Sequence, residues 1–322
     1  MQTAPTVCLA DPPHAVILDP LDRLSQRKRY LTPVQRLMST NPSTRDVGQR
    51  MSHCASRLGI LLELPEGEQA RALLQNGWFC KARLCPFCEW RRTIAWRARL
   101  IRGLTRLHVD RPTDRGLFLT LTVKNCSVSE TGSQIRQMQK AWHDLTRAPF
   151  FPTGYWFRRT EFTVNNGCLK SAPSIHPHIH ALLVVPASYW GRGYVTQTEW
   201  QRQWMMAAGL DYPPVVDIRR ATSKKGSDAP ADCSLSAAIE AAKYAAKSVD
   251  IEKLGALAPE LHHQIRGIRL YAVSRRLSHY IGDSEPLGDE LCDADEIAAS
   301  QSPGLHLVAC WNAKENKYEF QI

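Results

Sequence analysis

The run HPHIHALLVV covers residues 176–185 and sets three histidines at every second position. In an extended strand, residues i, i+2 and i+4 point to one face. His176, His178 and His180 therefore share a face. Neutral imidazoles are common ligands of divalent cations, and His178 and His180 are spaced to share one. A third ligand has to come from a neighbouring strand. Glu161, in the strand expected to pair with this one, is the candidate, and His176 is the alternative, as ligand or as substrate contact. The plainer role for Glu161 is a cross-strand pair with Arg158 or Arg159. Two imidazoles and a carboxylate leave positions open for phosphate oxygens, where a cation would act as a Lewis acid on a scissile phosphate. These ligand types suit Mn²⁺, Zn²⁺ or Ni²⁺ better than Mg²⁺.

A second cluster is sulfur-based. Cys80, Cys85 and Cys88 form C-x4-C-x2-C within FCKARLCPFC. A C-x2-C pair lets both thiolates reach one Zn²⁺ at about 2.3 Å, and a closed structural site takes four ligands. Cys54 is the candidate fourth, with His53 as competitor. Basic residues Lys81, Arg83, Arg91 and Arg92 surround the cluster, and Arg99 and Arg102 follow on the helix expected over 89–108. Such a metal-held knuckle at the head of an arginine-bearing helix suits DNA contact.

A third group lies on the alanine-rich stretch LSAAIEAAKYAAKSV, residues 235–249. Helical spacing puts Glu240, Lys243, Tyr244 and Lys247 on one face. Taken alone this is a solvated face with Glu–Lys pairs. Beside a metal-bearing strand, a phenol can attack phosphorus and conserve the bond energy in a phosphotyrosine link. Lys243 and Lys247 would favour the phenolate and bind neighbouring phosphates. Glu240 could serve as base for a second nucleophile.

The elements that must position these groups follow from patterning. Strands are expected over 116–125, 155–164, 176–185 and 214–221, and helices over 133–147 and 196–209, with Gly209 as a stop. Residues 51–89 are expected to hold Cys54, a short helix and then FCKARLCPFC. Trp90, Ile94, Ile101 and Leu104 mark the expected apolar stripe of the helix over 89–108. This order predicts an α+β class, with a central antiparallel sheet flanked by helices and a small zinc-knuckle module near the N-terminus. Five segments are expected. Residues 1–50 read as a loose basic arm, 51–110 as the knuckle and arginine helix, and 111–250 as the catalytic sheet domain. Residues 251–282 read as a basic helical extension, and 283–322 as an acidic linker followed by a hairpin turning at AKEN.

The chain has 322 residues, is 43% apolar and carries a formal charge of +10. That size supports a sizeable core, and that charge suits a polyanionic partner such as nucleic acid. Ten cysteines without a secretory leader fit a reducing, cytoplasmic setting better than a disulfide scaffold. No run of 18 apolar residues suggests a membrane span.

The ordered motifs FCKARLCPFCEWRR, FLTLTVKN, HPHIHALLVV, VVDIRRA and EAAKYAAK resemble the plasmid rolling-circle replication initiators of the HUH endonuclease superfamily. The likeness is to the branch that uses one tyrosine with a glutamate four residues before it, and it covers roughly residues 50–280. The resemblance implies a bacterial enzyme that nicks a plasmid origin in single-stranded or extruded form. Tyr244 would join to the 5′ phosphate and leave a 3′ hydroxyl as primer. Glu240 would promote hydrolysis at termination, and His178 and His180 would bind Mn²⁺ or Mg²⁺. Arg83, Arg91, Arg92, Arg99, Arg219 and Arg220 are the expected DNA contacts. With no G-x4-G-K-[ST] motif, host helicase and polymerase are the expected partners. The competing readings are a non-enzymatic zinc-dependent DNA-binding regulator and a transposase or relaxase of the same superfamily. The sequence leaves the oligomeric state open.

Overall fold

The first helix of the computed structural model, α1 (His14–Thr40), occupies a stretch expected to be a loose arm. Described residues are 14–63, 71–165, 172–221, 255–282 and 304–321. Pro20 and Pro33 argue against a helix here, because proline removes a backbone donor. Its buried positions nevertheless run Leu21, Leu24, Lys28, Leu31, Val34 and Met38, the three-and-four spacing of one helix face. A lysine in the middle of that row hid the period.

The chain divides into two compact units, Met1–Phe87 with Cys292–Ile322, and Cys88–Leu291. In the first, α1 packs on α2 (Arg45–His53) and on a four-stranded antiparallel sheet. Its strands are β1 (Arg57–Glu63), β2 (Arg71–Gly77), β8 (Gly304–Asn312) and β9 (Lys317–Gln321), in the order β2-β1-β8-β9. The run LGILL of β1 suits a buried strand or a helix equally. Pairing with β8, Leu58 opposite Ala309, decides for strand and corrects the short helix expected here. The terminal hairpin turns at residues 313–316 as expected, with Asn316 in the left-handed region (φ 54°).

The second unit opens with α3 (Pro86–Asp110) and holds a five-stranded antiparallel sheet. The elements are β3 (Arg115–Thr122), α4 (Thr131–Leu145), β4 (Tyr155–Asn165), β5 (Ser174–Val185), α5 (Gln197–Ala208), β6 (Val216–Arg220), α6 (Ala258–Ile265), β7 (Tyr271–Val273) and α7 (Arg275–Ile281). Strand order is β6-β3-β5-β4-β7, so the histidine strand β5 is central. The expected α+β class with antiparallel sheets and flanking helices is borne out.

Alternation along β3 and β5 gives this sheet two different faces. Leu117, Leu119, Leu121, Ile179, Ala181, Leu183 and Val185 point to one side and are buried. There they meet Met138 and Trp142 of α4 and Trp200 and Trp204 of α5. Full burial of each such aliphatic side chain contributes about 1.5–3 kcal/mol. That core locks the register, because a one-residue slip would turn the leucines outward and the histidines inward. Helix α5 is capped at its start, where the Thr196 side chain accepts from the Glu199 amide, and it stops at Gly209 (φ 62°).

Two expectations in this unit are corrected. The buried face of α3 holds Glu89, Arg92, Thr93, Trp96, Arg99, Leu100, Leu104 and Leu107, whereas Ile94 is 47% exposed. Of the expected stripe Leu104 is buried, Trp90 and Ile101 are half-buried and Ile94 alone is exposed, while charged residues take part of the buried face. The basic helical extension expected over 251–282 is, from residue 258 on, not one helix but α6, β7 and α7. Gly267 (φ 72°) breaks it, and Ser274 caps the second helix by accepting from the Leu277 amide.

Candidate metal centre

The second face of the five-stranded sheet carries the chemistry. Cross-strand pairing sets Glu161 of β4 and Thr122 of β3 opposite His178, and Arg159 and Thr120 opposite His180. The carboxylate and both imidazoles converge. His178 Nε2 and His180 Nε2 each lie 3.6 Å from Glu161 Oε2. The rings sit 4.8 Å apart at 83° to one another. Each ring is oriented through its other nitrogen. His178 Nδ1 lies 3.2 Å from the His176 carbonyl, to which it can donate. His180 Nδ1 is 3.0 Å from Thr120 Oγ1. Such partners hold the tautomer and ring plane of a metal-ligating histidine.

One carboxylate oxygen and two imidazole nitrogens aimed at one point make a donor set that suits a divalent cation. Glu161 Oε1 is buried with no hydrogen-bond partner among the described residues, although Arg159 Nη1 stands 3.2 Å away as a charge. Burial pushes the Glu161 pKa up, yet His178, Arg159 and His180 together hold it below the ordinary carboxylate value. The residues therefore offer an ionised oxygen and two imidazole nitrogens. His176 lies on the same face, 5.7 Å ring to ring from His178, but outside the converging set. Burial and the neighbouring His178 lower its pKa.

The four cysteines also come together. Cys54 closes α2, Cys80 follows β2, and Cys85 and Cys88 flank the start of α3. All four are buried, and their sulfurs lie within 4.8 Å of one another. Cys54 Sγ and Cys85 Sγ are 3.5 Å apart. A tetrahedron with arms of about 2.3 Å has edges of about 3.8 Å, so the spacing suits Zn²⁺. Lys81 takes a left-handed conformation (φ 57°) immediately after Cys80. His53 is exposed and packs edge-on against Trp78, 6.3 Å between rings, so Cys54 is the member of the cluster. Near it, the buried Lys28 donates to the Cys54 carbonyl and Tyr318 donates to the Ala55 carbonyl.

The expected DNA contacts divide. Arg219 and Arg220 are exposed on β6, with Arg219 Nε 2.7 Å from Asp217 and Arg220 over the Trp190 ring at 5.2 Å. Arg83 and Arg91 are half-buried. Arg92 and Arg99 are buried, at 5% and 9% exposure, and Arg92 Nη1 binds Glu89 Oε2 at 2.5 Å. That placement removes both from the exposed basic set. Tyr244, Glu240, Lys243 and Lys247 lie outside the described residues. The sequence reading passed over Glu89, Thr120 and Tyr271, and it weighed Arg159 only as a pair for Glu161. The available signal was the two-residue spacing from Arg159 to Glu161, which puts both on one face.

Among the described residues no helix is long and apolar enough to cross a membrane. A family model described as replication protein, Rep_1, matches residues 71–319. Relatives called protein rep include the following three. One from Lentilactobacillus hilgardii is 36% identical over 198 residues, 60% of each chain. One from Lactiplantibacillus plantarum is 32% identical over 268 residues, 76% of this chain and 80% of its own. One from Streptococcus pneumoniae is 30% identical over 281 residues, 84% of this chain and 83% of its own. No solved structure matches the chain. The chain thus belongs to the Rep_1 family of replication proteins, which bears out the resemblance of its motifs to plasmid rolling-circle replication initiators.

Proposed function

We propose that the chain is a metal-dependent, site-specific DNA-nicking and strand-transfer enzyme of the HUH type, acting at a plasmid double-strand origin. The observation that carries this reading is the convergence of Glu161, His178 and His180 on one point of the second sheet face, with both imidazoles half-buried. These residues would hold a divalent cation, Mn²⁺ before Mg²⁺ on donor type. When bound, it supplies Lewis-acid polarisation of the scissile phosphate. Tyr244 is the nucleophile. Its phenolic oxygen bonds to phosphorus as the bond to the 3′ oxygen breaks, and the phenol's proton is lost while the 3′ oxygen gains one. The products are a 5′-phosphotyrosine and a free 3′ hydroxyl, which primes synthesis. Lys243 and Lys247 stabilise the phenolate and adjacent phosphates. Glu240 takes the proton from the second nucleophile that ends the cycle.

The four cysteines hold a structural Zn²⁺, and Arg219 and Arg220 contribute to the basic surface that meets origin DNA. A host helicase and polymerase complete replication. The test is a labelled origin single strand incubated with the protein and Mn²⁺, then run on a denaturing gel. A covalent protein–DNA band that disappears in Tyr244→Phe is expected. Wild-type protein that forms no such band at a verified origin contradicts the proposal and favours a non-enzymatic regulator.

A further inference from the structure

The Glu161 carboxylate is held from behind by a buried chain of charges that the nicking chemistry does not use. Arg159 is 1% exposed and sits two residues before Glu161 on the same face of β4. Its guanidinium is forked between two carboxylates. Nη1 faces Glu161 Oε1 at 3.2 Å, and Nη2 donates to Glu89 Oε1 at 2.9 Å. Glu89 comes from the first turns of α3 and is itself fully engaged. Its Oε1 also accepts from the Tyr271 hydroxyl at 2.9 Å, and its Oε2 accepts from Arg92 Nη1 at 2.5 Å. Tyr271 lies under the guanidinium, 5.1 Å from ring centre to Cζ, and stacks on Trp96 at 5.4 Å and 8°.

The division of labour at Glu161 follows from this geometry. One oxygen faces Arg159, and the other faces the two imidazoles. Two carboxylates compete for one guanidinium, and the closer, better-aligned contact belongs to Glu89. An arginine free of Glu89 would close on Glu161 in the two-pronged geometry that guanidinium and carboxylate prefer. It would then draw Oε2 away from the point it shares with the histidines.

We infer that Glu89 is a positioning residue for the metal centre: by holding Arg159 back, it keeps one oxygen of Glu161 presented to the cation. The inference rests on the proposed centre at Glu161, His178 and His180. Partners that orient metal ligands in this way typically change metal affinity by about 10- to 100-fold when lost. The experiment is Mn²⁺ binding by the full chain, read by electron paramagnetic resonance of free Mn²⁺ without DNA. Glu89→Gln keeps the size of the side chain and removes its charge. It should weaken Mn²⁺ binding about 10- to 100-fold. In a Glu161→Gln background the same change should have no further effect. Tyr271→Phe, which removes one donor to Glu89 and keeps the aromatic stack, should weaken binding a few-fold and serves if Glu89→Gln does not fold. A purely structural role for Glu89 would lower the melting temperature without moving Mn²⁺ affinity. Wild-type affinity in both folded variants, with binding lost in Glu161→Ala, overturns the inference and leaves the metal centre standing. Unchanged binding in Glu161→Ala overturns the centre and the inference with it.

Discussion

The two candidate metal centres are built on opposite plans. The cysteine cluster is buried on all sides, uses four identical soft donors and draws them from loops and helix ends around residues 54 and 80–88. The Glu161–His178–His180 centre lies on a regular sheet face, uses mixed oxygen and nitrogen donors, and leaves His178 and His180 half-buried. A closed thiolate tetrahedron has no position for substrate, whereas three ligands on a sheet face leave several. Under the proposed function, this contrast gives the closed centre a structural role and the other the chemistry. It also explains why the sheet needs so large a core behind it. Trp142, Trp200 and Trp204 are buried behind the histidine strand, in the core that fixes the register on which the ligands' convergence depends.

The largest expected effect belongs to the closed centre. Replacing Cys85 and Cys88 together by serine should remove one zinc per chain and unfold the unit around it, because structural zinc contributes on the order of 10 kcal/mol. Metal analysis and thermal melting read this. Retained zinc, or an unchanged melting profile, would break the comparison. The open centre should behave in the opposite way. His178→Ala with His180→Ala should cut origin nicking by on the order of 10³-fold while zinc content and melting temperature stay near wild type. Equal loss of stability in both pairs would mean that the sheet face is structural as well.

A smaller effect sharpens the chemical side. Thr120→Val removes the hydroxyl beside His180 Nδ1 and should weaken Mn²⁺ binding about 10-fold, measured by titration. The smallest effect lies farthest from both centres. Arg219→Ala should weaken DNA binding about equally across sequences and reduce the salt dependence by about one phosphate contact. A sequence-specific loss there would make Arg219 a base reader instead.

The legibility of the two centres in the sequence differs in the same direction. Cys80, Cys85 and Cys88 announce themselves by local spacing, and the histidine strand by strict alternation over five residues. Glu161 was reachable because strand pairing places it directly across from His178. What stayed hidden is charge inside the core. Lys28 interrupts the apolar row of α1, and Arg92, Arg99 and Glu89 occupy the buried phase of α3, so polarity pointed to surface where the fold has interior. Such groups are tolerated only when paired, and pairing is a tertiary fact that no local window contains. The same holds for β1, whose partner β8 lies at the other end of the chain.

The most direct test is anomalous scattering at the manganese edge from crystals of the full chain grown with Mn²⁺. One peak within coordination distance of Glu161 Oε2, His178 Nε2 and His180 Nε2 is predicted. A manganese signal at another place, with this point empty in protein that still joins covalently to DNA, would contradict the assignment.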